Sequence, residues 1–317
     1  MIQNLTRQAL AVALADDGAA ADVSAHLNAA IPYGTIYYVC STNGRDGAGA
    51  GLTTQLPFAT IDYAIGKCTA SKGDRIYVLP GHAETLTGAG AITADVAGIS
   101  IIGLGNGTNR PTLTLSTTAT TIAVSAANVL MSNLRITSSV DELVKVFNVT
   151  AAHLTLDGVD VFETTSCQII QFMLTTNAAD NLTIKNCKHV QRTAAAATQI
   201  WIQLVGVNEP VISNNVLLLT LKNETASYTI GGTTACVDAY VTNNVIQQGS
   251  GGNTQDKCVS FVTGTTGIMR KNFAACTSTG VATAGAFVGD AMFMDDNKFA
   301  DTAAASGLLA PAVDTDT

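Results

Sequence analysis

An apolar residue followed three positions later by a fixed partner recurs along most of this chain. With Asn244 at position zero, Val241 stands three before it, and Ile212 with Asn215, Met269 with Asn272 and Met294 with Asn297 repeat the frame. Upstream the same frame takes Ile184 with Cys187, Leu156 with Val159, Met131 with Leu134, Ile101 with Leu104 and Val78 with Gly81. Successive zero positions lie 23, 30, 25, 28, 28, 29, 28 and 25 residues apart. A period in the twenties means a solenoid.

What lies inside each unit decides which solenoid. The units are rich in Thr, Val, Ile, Asn and Gly, which favour strands and turns over the paired helices of a helical repeat. Further short apolar runs, among them Leu143 to Val149, Ile169 to Leu174 and Ile200 to Val207, leave room for two or three strands per turn. Stacking such turns gives an all-β, single-stranded parallel β-helix, each strand pairing with its equivalent about 4.8 Å away. Nine coils over residues 76–300 would make a rod on the order of 40 Å long. The zero column ends in Asn215, Asn244, Asn272 and Asn297. These four are expected at a corner, where Asn tolerates a left-handed backbone, with their amides hydrogen-bonding up the stack.

Composition narrows the function. Charged residues make up 13% and hydrophobic ones 47% of 317 residues, so much of the chain is buried in the coil or against other chains. The net charge is −8 with no Lys/Arg block, which argues against a nucleic-acid partner. No apolar run reaches the length of a membrane span, and no secretory leader is read at the N-terminus. The 7 cysteines lack CxxC spacing and read as reduced and structural, as in a cytoplasm. His26, His82, His153 and His189 share no ligand spacing, so neither a metal nor a cofactor is expected.

Residues 1–32 read as a helical docking arm outside the coil, with Leu5, Ala9, Val12, Val23, Leu27 and Ile31 on its apolar side. That face is too narrow to fold alone and needs a surface to dock on. Residues 33–75 carry a strand, a Gly-rich loop and a capping helix, and residues 301–317 form a tail. The Gly-rich loop has no following Lys-Ser/Thr and is not a phosphate loop.

The run from Tyr37 to Gly47, then Pro57-Phe58-Ala59-Thr60-Ile61, then Ile76-Tyr77-Val78-Leu79-Pro80-Gly81, resembles the opening of the pectate-lyase-like right-handed β-helix superfamily. The resemblance implies a right-handed coil whose open end is covered by a short helix. The N-terminal arm ahead of such a coil resembles arms on structural proteins of tailed bacteriophages. That likeness implies a homotrimeric virion component, a capsid decoration or cement protein, assembled in the host cytoplasm and contacting the major capsid protein or another virion protein.

Enzymes on this fold place carboxylates on an outer wall. Asp157, Asp160 and Glu163, with Lys185 and Lys188 one coil on, form the candidate glycan site. A ladder of solvated charge pairs explains the same residues. A single Trp, Trp201, and 5% aromatics supply a polysaccharide groove poorly. The sequence therefore reads as non-enzymatic, with a polysaccharide-binding or -cleaving tailspike as the alternative and a surface adhesin as a third reading.

Two outward columns change character together. One reads Thr155, Thr183, Val211, Tyr240, Ile268, Phe293; the other reads Arg135, Asp160, Lys188, Val216, Val245, Phe273. Apolar stripes on both sides of one corner mark an interface between copies, expected around a threefold axis. A C-terminal segment folded over the stripes, or a slip of inside/outside parity, is the competing explanation.

Overall fold

The computed structural model describes residues 34–163, 167–191, 200–221, 228–250, 257–276, 286–301 and 310–311. The expected arm, with Leu5, Ala9, Val12, Val23, Leu27 and Ile31, lies outside the described residues.

Three parallel sheets wind around one core. The first has 10 strands, from Ile36–Val39 to Ala291–Asp295; the second has 8, from Ile92–Ala94 to Phe287–Val288; the third has 10 and begins at Ala83–Leu86. Each strand pairs in parallel with its counterpart one turn away, except that Ala310–Pro311 pairs antiparallel with Lys298–Asp301 at the end of the third sheet. The described residues thus form an all-β, right-handed parallel solenoid with almost no helix among them. Among the described residues the solenoid makes about 7 turns rather than the nine expected coils, which follow the rungs of the first sheet.

Inward residues stack by kind. In the first sheet Ile76, Ile101, Met131, Leu156, Ile184, Ile212, Val241, Met269 and Met294 stand in register. Ile76, not Val78, is therefore the first member, so the first zero position is Leu79 rather than Gly81. The spacing alone does not separate the two, because side chains alternate with period two and Val78 also points inward. The second sheet stacks Ile92, Ile122, Phe147, Met173, Ile202, Ile230, Val259 and Phe287. These columns bury one continuous apolar core, which a chain of alternating Ile, Val and Leu provides at little cost in side-chain entropy.

The start of the rod is closed by the chain itself. Tyr38 N–H donates to the Gly51 carbonyl (2.7 Å) and Cys40 N–H to the Phe58 carbonyl (2.8 Å), so the outer edge of Ile36–Val39 is satisfied. Gly51 has a positive φ of 89°, and a Cβ there would run into the Phe58 ring. Helix α1 (Ile61–Ile65) follows, with Thr60 Oγ1 accepting from Tyr63 N–H (3.3 Å) as N-cap. Its Ile61, Ala64 and Ile65 are buried, and it is a single turn and a half.

Left-handed residues make the corner between the first and third sheets. Asn133 (φ 53°), Gly158 (69°), Asn186 (56°), Asn214 (57°), Asn243 (58°), Lys271 (54°) and Asp296 (50°) all have positive φ. Each stands one before the zero position. The expectation that Asn215, Asn244, Asn272 and Asn297 take the left-handed backbone is thereby corrected; the turn needs that conformation one residue earlier, which swings the zero residue's side chain inward.

Candidate functional site

Asn215, Asn244 and Asn272 are fully buried and Asn297 is nearly so, in a line parallel to the rod. Asn215 Nδ2 donates to Asn244 Oδ1, Asn244 Nδ2 to Asn272 Oδ1, and Asn272 Nδ2 to Asn297 Oδ1, each at 2.9 Å. The same oxygens accept the backbone N–H of the preceding Asn, and each Nδ2 also donates to a carbonyl one turn back, as Asn244 does to Ile212 (2.9 Å). Cys187 begins the line: its N–H donates to Asn215 Oδ1 (2.9 Å). Burial pushes its thiol up to about 12, so it stays protonated.

The three acids expected to share a glycan site face three directions. Asp157, on the first sheet, meets Lys185 Nζ (3.4 Å) and accepts from Asn186 Nδ2 (2.7 Å). Asp160, on the third, sits between Arg135 Nε (3.4 Å) and Arg110 NH1 (3.6 Å). Glu163 is inside: it is 1% exposed, and its Oε1 lies 2.9 Å from Nε2 of the fully buried His189. Glu163 Oε2 and His189 Nδ1 have no hydrogen-bond partner. The error arose because consecutive strands bend around a corner, so residues three apart leave the same wall.

Another pair of acids does share a wall. Glu209 and Asp238, both at φ 52°, flank an open groove of about 370 Å³ on the first sheet, lined also by Asn181, Thr183, Val211 and Tyr240. Sequence reasoning missed it, although the signal is there: Asn181, Glu209 and Asp238 each stand six before a zero position. Thr183, Val211 and Tyr240 are register neighbours across the groove floor. A second hollow of about 370 Å³ near the start of the rod is lined by Tyr37, Phe58, Tyr63, Lys67 and the Gly-rich loop.

The outward columns stand in register as two unbroken files. Thr155, Thr183, Val211, Tyr240, Ile268 and Phe293 pair strand to strand in the first sheet. Arg135, Asp160, Lys188, Val216, Val245, Phe273 and finally Lys298 do so in the third. Tyr240 is 44% exposed, Phe293 67%, Val216 36%, Val245 42% and Phe273 39%. Val211 and Ile268 are half-buried between them. The C-terminal strand at Ala310–Pro311 adds to the end of the third sheet.

Near the start, His82 is buried with both ring nitrogens used. Ser41 N–H donates to Nδ1 (3.0 Å), so the proton is on Nε2, which faces Glu84 Oε2 at 3.1 Å. That oxygen also accepts Ile61 N–H (3.1 Å), tying the first turn of α1 to the third sheet. Among the described residues no three His, Cys, Asp or Glu side chains gather as a metal site.

No protein-family model matches the chain, and no curated protein does. Among solved structures it is similar to the GH136 lacto-N-biosidase from Eubacterium ramulus, at 12% identity and a TM-score of 0.34, over 84% of this chain and 68% of that one. The class defined is the right-handed parallel β-solenoid. The matched structure is that of a glycoside hydrolase, and this corrects the expectation of a non-enzymatic chain.

Proposed function

We propose that this chain is a self-associating structural rod, a homotrimeric component of a virus particle that decorates the shell. The observation that carries the reading is the exposure of Tyr240, Phe293, Val216, Val245 and Phe273 on the two walls flanking one corner. Contiguous apolar surface of this kind is rare on monomers and marks association. A hydrogen-bonded Asn line beneath that corner keeps the walls rigid, which limits the entropy lost on assembly. The virion assignment rests on the likeness of the N-terminal segment to phage structural proteins, with the major capsid protein as the partner and α1 closing the rod's start.

The test has two stages. Light scattering should give the mass of three copies for the intact protein and of one copy for Ile268→Asp/Phe293→Asp; an unchanged oligomer in the variant overturns the interface. Negative-stain images of particles with and without the protein should differ by knobs on the shell. A shortened tail instead would favour the tailspike reading.

A further inference from the structure

We propose that the copies associate heterologously: the first-sheet wall of one seats on the third-sheet wall of the next, and Lys188 of the neighbouring copy enters the groove between Glu209 and Asp238. This rests on the self-association reading above and specifies the partner surface.

The two apolar files lie on different sheets that turn away from each other at the corner, so one flat partner covers only one of them. A closed ring covers both, provided that one wall fits the other. An axis parallel to the rod keeps equal rungs at equal height. The residues facing each other can then be read from the register, because the first-sheet and third-sheet members of a rung flank the same zero position. Val211 meets Val216, Tyr240 meets Val245 and Ile268 meets Phe273, three consecutive rungs of apolar on apolar.

Both ends of this seam match as well. One rung above, the exposed Phe293 ring meets Lys298, whose ammonium in the free chain lies 5.8 Å from the Phe273 ring and 3.8 Å from Asp296. Arrival of a second ring gives that cation a further face. One rung below, Thr183 meets the exposed Lys188. Glu209 stands one turn higher and two residues earlier along its strand, roughly 8 Å from the point that faces Lys188, a span that the lysine and glutamate side chains cover together. The walls are complementary in charge: Glu209 and Asp238 border the first-sheet file, whereas Lys188 and Lys298 bracket the apolar part of the third-sheet file. The first sheet's own cations do not compete for the groove. Lys185 is held by Asp157 at 3.4 Å, and Arg270 stands beside Asp295 on the far edge of that wall.

The experiment is a mixing test followed by light scattering at low salt, each variant first checked for native circular dichroism. Glu209→Lys/Asp238→Lys spoils the first-sheet wall and spares the third; Phe273→Asp does the reverse. Each alone should run at the mass of one copy, and their mixture should form a one-to-one dimer through the two intact walls. Adding Lys188→Glu to the Glu209→Lys/Asp238→Lys chain should restore the trimer. If the charge variant stays trimeric while Phe273→Asp is monomeric, or if the mixture stays monomeric, heterologous pairing is overturned and self-association survives. An intact protein that is monomeric at every concentration overturns both.

Discussion

Asn215 and Asn244, 29 residues apart in sequence, share two hydrogen bonds through one oxygen: Asn244 Oδ1 accepts from Asn215 Nδ2 at 2.9 Å and from Asn215 N–H at 3.1 Å. The pair is buried, so neither group has water to fall back on.

Asn244→Ala should therefore destabilise the rod strongly. It orphans two donors of Asn215 as well as the Ile212 carbonyl, at about 1–3 kcal/mol for each group left unsatisfied in the interior. Asn244→Asp is the sharper probe. A buried carboxylate has its acid form favoured, so the folded pKa rises, and stability should be higher near pH 4 and fall as pH rises through the unfolded value. Urea unfolding at the two pH values measures both; equal stability of Asn244→Asp at the two would contradict the geometry.

Asn243 illustrates backbone cost without packing. It is exposed with a φ of 58°, so Asn243→Val should lose about 1–2 kcal/mol while Asn243→Gly stays near neutral. Lys271, in the equivalent site at 54°, should gain up to about 1 kcal/mol on replacement by Asn. Thermal unfolding of the three variants checks the order.

Glu163 and His189 should behave as a coupled buried pair. Removing one partner, as in Glu163→Ala or His189→Ala, strands the other and should cost about 3–5 kcal/mol. Replacing both by leucine should cost much less than the two single changes together, since the neighbouring rungs there are apolar. A double-mutant cycle by chemical denaturation gives the coupling; strict additivity would refute it.

Alkaline pH should weaken the fold through buried acids that stay protonated. Burial raises the Cys187 thiol to about 12 from its ordinary 9.0, and the Tyr228 hydroxyl to about 12 from its ordinary 10.0. The unfolded chain then loses these protons first, so stability is constant below the unfolded values and declines as pH climbs from there toward 12. Each such group contributes at most about 1.4 kcal/mol per pH unit. Denaturation midpoints of the intact protein and Cys187→Ala between pH 8 and 11 test this: the variant should show the shallower decline.

The repeat was legible because a solenoid meets the same environment at every turn. Ile101, Met131, Leu156, Ile184, Ile212, Val241 and Met269 fill one interior column, and their spacing alone announces it. The first rung was misread by two residues because Ile76 and Val78 share a face, and period-two alternation cannot choose between them. The glycan cluster failed for the opposite reason. Asp157 and Glu163 are six residues apart across a corner, and nothing local says that one ends outside and the other inside against His189.

From the chain alone came the period, the inward apolar columns, the outward files and the Asn line, all set by side-chain chemistry recurring at fixed intervals. The folded molecule alone decided how far each turn rotates before the next strand begins. That rotation depends on the left-handed residue ahead of each zero position, and it separates Asp157 from Asp160 and Glu163, whereas strand register sets Glu209, Asp238 and Tyr240 along one groove.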